Sequence, residues 1–185
     1  MFGREPVLGF AFDKLSEAEK ERAICYNADL LIEVAETLGH CAIRCIPGYW
    51  EVAPDDPAYL WIGEEKYRLM LVRELAKRAG SRYLIMGDCP GLFGIPDGRN
   101  IMTFVDEMYD HPEELKRKAD RAINNGIEMG YRMLDAGAEC LINCCDFSFN
   151  NGPFMSPAQF DEFTAPYLNR WVQTFKKEGI PTIQH

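Results

Sequence analysis

A chain of 185 residues, 47% apolar and 12% aromatic, carries a formal net charge of -9 with its acids scattered along its length. That composition reads as one soluble globular domain with a real core, and it lacks the basic stripe with which a nucleic-acid groove displaces counterions. The N-terminal residues Met1 to Phe10 do not combine a basic segment with a long apolar one, and no run nears the roughly 18 apolar residues of a membrane span, so the expected location is the cytoplasm.

In chain order, "VLGFAF" (7–12) reads as a first strand. A helix follows from Ser16, whose pairing with Glu19 is a capping-box pattern, to Gly39 at the left-handed position past its end. "CAIRCI" (41–46) is the next β-prone run, then a helix ending at Gly80, then "RYLIMG" (82–87). A long helix opens on Pro112 with Glu114 in its first turn, stops near Gly137 and feeds "ECLINCC" (139–145). Ser156 as N-cap, Pro157 and Gln159 open another helix. A further one through "PYLNRWVQTFKKEG" ends at Gly179, and "IPTIQH" closes the chain.

Strands alternating with helices through short loops imply βαβ units and a parallel sheet. The nearly continuous apolar strand cores suggest burial on both faces. An open doubly wound sheet and part of a (β/α)8 barrel both fit. No Gly-x-Gly-x-x-Gly or Gly-x-x-x-x-Gly-Lys stretch follows a strand, which removes the main support for a nucleotide-binding open sheet. Seven cysteines without a secretory mark read as reduced thiols, mostly small core residues. The pairs Cys41/Cys45 and Cys140/Cys144 lie on predicted strands, where four residues span about 13 Å, too far for two thiolates on one metal.

In either closure, polar groups at the C-terminal strand ends converge on one rim. The residues there are Tyr49 and Trp50 after the second predicted strand, Asp88 and Asp97 after the third, Asp146 with the loop "DFSFNNGPFMSP" after the fourth, and His185 after the fifth. Each has a plainer reading. Asp146 can cap a turn in its own loop, Asn150, Asn151 and Gly152 can serve turn conformations, and Phe147, Phe149 and Phe154 can be wall and packing. His40 and His111 read as helix-terminus residues.

Residues 135–185 carry an ordered series: Gly-Ala-x before a strand ending in Asp146, a loop, "SPAQFDEF", "PY", and a strand ending in His185. With "GDCPGLFGIPDG" and "HPEELKRKADRAINNGIEMGYRMLDAGAE" upstream, residues 30–185 resemble the uroporphyrinogen decarboxylase superfamily. The resemblance implies a (β/α)8 TIM barrel, of which this chain supplies about five βα units as a single, partial domain over 1–185. It also implies one of two chemistries: cofactor-free decarboxylation of uroporphyrinogen, a lyase step of porphyrin biosynthesis, or zinc-assisted methyl transfer to or from a corrinoid protein.

Decarboxylases of that group carry an arginine-rich N-terminal segment and an aspartate after the second strand. Here there is Arg4 alone, and "PGYWE" stands after "CAIRCI". A polycarboxylate demands cationic clamps, so the methyltransferase-like branch is the expectation. On that reading His185 is a zinc ligand and Asp146 is catalytic, while Tyr49, Asp88, Asp97, Phe147, Phe149, Asn150 and Asn151 meet the substrate. The partners are then a small methyl donor or acceptor and a corrinoid protein, and self-association into a homo-oligomer is compatible with an open strand edge. A barrel usually takes about 250 residues and eight strands, so the chain is expected to be a fragment without full activity. A silent barrel fragment with only a binding role is the reading from another class.

Overall fold

The computed structural model describes residues 3–45, 62–89, 91, 94, 96 and 100–185. Tyr49 and Asp97 lie outside the described residues. The chain divides into two compact units, residues 1–87 with 132–140 and residues 88–131 with 141–185. Both are built from parallel strands joined through helices, an incomplete portion of a (β/α)8 barrel, and no closed barrel forms among the described residues.

The first unit opens with helix α1 (Gly9–Asp13), where the sequence predicts a strand. The reason is tertiary. The backbone polar groups of Val7 are taken by a side chain: its N–H donates to Asn27 Oδ1 at 2.8 Å and its carbonyl accepts from Asn27 Nδ2 at 3.0 Å. Phe12 is then turned into the core, edge-on to Tyr67 with ring centroids 5.2 Å apart. Asn27 itself is 2% exposed, so its amide must be bonded, and Val7 satisfies it.

Helix α2 (Glu17–Leu38) starts on the predicted capping box, with the Ser16 N–H donating to Glu19 Oε2 at 2.9 Å, and stops at Gly39 in the left-handed conformation. Strand β1 (Ala42–Cys45) pairs in parallel with β2 (Leu84–Asp88), Ala42 opposite Leu84 and Cys45 opposite Gly87. Between them runs α3 (Glu65–Ala79), which buries Leu71, Val72 and Leu75. Around the start of α2, Glu17 accepts from Lys66 Nζ at 2.7 Å and from the Tyr67 hydroxyl at 2.6 Å. These bonds hold the Glu17 carboxyl down at about 2.

In the second unit α4 (Ile101–Asp110) precedes α5 (Pro112–Asp135), whose last turn belongs to the first unit. Among the described residues, strand β3 (Cys140–Asn143) is the one strand buried at every residue. β2 and the last strand, β6 (Thr182–Gln184), each leave a face partly exposed, so of the described strands β3 alone is buried on both faces. A two-residue hairpin, β4 (Ser148–Phe149) with β5 (Gly152–Pro153), lies in the loop after β3. Helices α6 (Pro157–Phe163) and α7 (Ala165–Lys176) then lead to β6. The capping box predicted for α6 is present, with the Ser156 N–H donating to Gln159 Oε1 and the Gln159 N–H to Ser156 Oγ. Met108, Leu115, Met155 and Phe163 form a core cluster, and Trp171 and Phe175 of α7 are fully buried. No helix among the described residues is long and apolar enough to cross a membrane.

All seven cysteines are free, and Cys45, Cys89, Cys140 and Cys145 are buried. Cys41 is exposed instead of packed, because it precedes the strand, next to the helix-ending Gly39 and His40.

Close packing in the first unit is tightest at Gly87. A Cβ there would stand 2.7 Å from Met133 Cβ and 3.1 Å from Ala138 Cβ. Both are main-chain-anchored atoms that cannot swing away, so Gly87→Ala is expected to cost about 1–3 kcal/mol by overpacking. The check is the thermal midpoint of unfolding, which falls by several degrees if this contact limits the approach of β2 and is unchanged if it does not.

Candidate functional site

In the second unit β3 pairs in parallel with β6, with Asn143 opposite Gln184. Main-chain bonds carry the ladder past both strand ends: the His185 N–H donates to Asn143 O at 3.0 Å and the Cys145 N–H to His185 O at 3.4 Å. The Gln184 amide also donates to His185 O at 2.7 Å. With both backbones tied, Asp146 Oδ1 stands 3.5 Å from His185 Nδ1. Both side chains face solvent, 58% and 69% exposed, so the pair attracts weakly in water and bonds as an ion pair only when the imidazole is protonated.

The loop after β2 meets the same place. Asp88 is half-buried at the end of β2, and the Cys89 N–H donates to Ile142 O at 3.0 Å. Further on, a Cβ on Gly94 would come to 3.1 Å from Cys145 Sγ and 3.4 Å from Asp146 O. Only glycine lets the two loops lie this close without a shift. Burial, and next the Asp146 charge, push the Cys145 thiol up to about 12.

From Phe147 the loop turns into the β4–β5 hairpin. The Phe154 N–H donates to Phe147 O at 2.8 Å, and Asn150 and Asn151 form the exposed tip. Beneath it is a cavity of about 320 Å³, lined by Phe147, Pro153, Phe154, Met155 and Phe160, with Gly94, Ser148, Pro157 and Asp161 completing the wall. Phe147 and Phe160 meet edge to face with centroids 5.3 Å apart, and Phe149 meets Phe154 likewise at 5.6 Å.

Of the predicted site residues, Asp146 and His185 are brought together, and Phe147 enters the cavity wall. Phe149 packs on that wall from outside. Asp88 stands at its strand end, while Asn150 and Asn151 sit at the hairpin tip, away from the cavity lining. Sequence reasoning did not single out Gly94, Met155, Phe160 or Asp161. A signal was available for Phe160 and Asp161, since the capping box of α6 puts them early in a helix that follows a strand-end loop. Asn143 was also missed. It is wholly buried with neither carboxamide atom hydrogen-bonded, a polar break in an apolar strand.

Among the described residues, no group of three or more His, Cys, Asp or Glu side chains could hold a metal ion. Asp146 and His185 together offer two donors, short of the tetrahedral set zinc takes.

Against known proteins, the family model of uroporphyrinogen decarboxylase (URO-D) matches residues 61–185. No curated protein matches the chain. Among solved structures, a methyltransferase from Methanosarcina mazei is similar with a TM-score of 0.65 at 14% identity, over 97% of this chain and 58% of that one. The chain thus spans little more than half of that structure, and the likeness is one of fold.

The contrast between Cys41 and Cys145 can be read directly. An exposed thiol reacts through its thiolate, whereas a desolvated one with a raised pKa stays protonated. In folded protein at pH 8, mass-resolved alkylation is expected to modify Cys41 at least about tenfold faster than Cys145. Comparable rates would contradict the sealed contact of Cys145 with Gly94.

Proposed function

Because the chain belongs to the uroporphyrinogen decarboxylase (URO-D) family, we propose that it carries part of the catalytic barrel of a methyltransferase that moves a methyl group between a small molecule and a corrinoid held by a partner protein. The observation that carries this reading over decarboxylation is the cavity lining, which among the described residues contains neither Arg nor Lys. A polycarboxylated porphyrinogen needs cationic partners for its charges. An apolar cavity of about 320 Å³ instead suits a small methyl-bearing molecule.

In this reading the cavity binds the donor with its methyl group toward the Asp146–His185 pair. When the methyl leaves as a cation equivalent, the bonding electrons stay on the donor heteroatom. Where the donor is an ether or a thioether, the heteroatom left with those electrons takes a proton that His185 holds, while Asp146, 3.5 Å from Nδ1, orients the ring; an ammonium donor leaves as the neutral amine and needs none. The phenylalanines give the reacting group an apolar wall. Zinc at His185 is part of the proposal as a Lewis acid that would sharpen a leaving or attacking heteroatom. It requires donors beyond the two described here, so no step is assigned to it.

The test is turnover by the purified full-length protein, with a reduced corrinoid offered a panel of O-, N- and S-methyl donors and uroporphyrinogen offered in parallel. Methyl transfer is expected, falling roughly 10²-fold or more in His185→Ala as for loss of a general acid-base group and less in Asp146→Asn. Zinc measured in the same preparations is expected to be stoichiometric and to drop in His185→Ala. Porphyrinogen decarboxylation without methyl transfer would overturn the reading, and inactivity toward both would leave a binding role.

A further inference from the structure

We propose that the cavity under the β4–β5 hairpin recognises an N-methylated ammonium group, so that the small methyl-bearing molecule is a tertiary or quaternary amine. This rests on the methyl-transfer reading for calling the ligand a donor, and on the cavity wall for its chemistry.

Among the described residues of that wall, Asp161 is the only ionisable one. It forms no ion pair among the described residues. Around it stand Phe147, Phe154, Phe160, Met155 and Pro153. An anion would meet a carboxylate and no donor cation, in a chain of net charge -9. A neutral apolar molecule would fill the space without using the charge. A primary ammonium brings three N–H donors, and besides the carboxylate the only polar side chain among the described wall residues is that of Ser148.

Methylation removes those donors and spreads the positive charge over an apolar surface. Such a group matches aromatic rings set at right angles, as Phe147 and Phe160 are at 87°, with one carboxylate to balance the charge. Aromatic cages bind quaternary ammonium groups by the same physics, attraction of the cation to the ring quadrupole.

The experiment is calorimetric binding of choline against its uncharged carbon isostere, 3,3-dimethylbutan-1-ol, to the purified protein. Choline is expected to bind at least about tenfold more tightly, between the ranges that an exposed and a desolvated cation–aromatic contact supply. Asp161→Asn should remove most of that preference while sparing isostere binding and the melting temperature, and Phe160→Ala, which also loosens the packing on the Met108–Phe163 cluster, should weaken both ligands. Equal affinity for the two ligands, a preference for the isostere, or no binding of either overturns the inference. If choline binds with the expected preference but no donor passes a methyl group to a corrinoid, the methyltransferase reading fails and the cation site stands. If a methyl ether is turned over and choline does not bind, only this inference fails.

Discussion

Parallel pairing of β3 with β6 sets the geometry on which the site depends. Leu141, Ile142 and Asn143 stand opposite Thr182, Ile183 and Gln184, and the ladder continues through the main chain of His185 and Cys145. Because side chains alternate across a strand, a slip of one residue would send every one of them to the opposite face. The 3.5 Å approach of Asp146 to His185 is therefore inherited from backbone register. Two residues far apart in sequence meet because an intervening helix layer returns the chain in the same direction, which is what a parallel crossover does.

The loops at that end are held by a different kind of constraint. Gly94 lies within van der Waals reach of Cys145 and Asp146, so the loop after β2 braces the start of the loop after β3. From there the hairpin carries Phe154 onto a cluster anchored by Met108, Leu115, Met155 and Phe163, and Phe147 onto Phe160, which packs against the same cluster. One wall of the cavity is thus also core packing. A change at Met155 or Phe160 would disturb stability and the cavity together, whereas Asp161 touches the cavity alone through its charge.

Much of this was legible in local chemistry. The capping boxes at Ser16 and Ser156 and the glycine past α2 act within one helical turn, so the residues that define them are adjacent in sequence. The strand ends that carry Asp88, Asp146 and His185 followed from the alternation of helices and apolar runs. What was not legible depended on distant partners. "VLGFAF" has β-prone residues, yet Asn27 takes the backbone bonds of Val7 and Tyr67 receives Phe12, and tertiary contacts outweigh propensity there. Helix α4 follows a loop rich in glycine and proline that obscures its start. The cavity was invisible for a related reason: Phe147 and Phe160 meet only once the hairpin folds back onto α6.

The exposure of the Asp146–His185 pair has a chemical consequence. In bulk water two such groups attract weakly, since high dielectric and solvent competition reduce the interaction to a fraction of a kcal/mol up to about 1 kcal/mol. A ligand seated in the adjoining cavity would displace water from the side of the loop that begins at Phe147, the residue after Asp146. Asp146 and Phe147 are consecutive residues, so the loop that carries the carboxylate of the pair also supplies the cavity wall, and a shift at either one is passed to the other through the main chain.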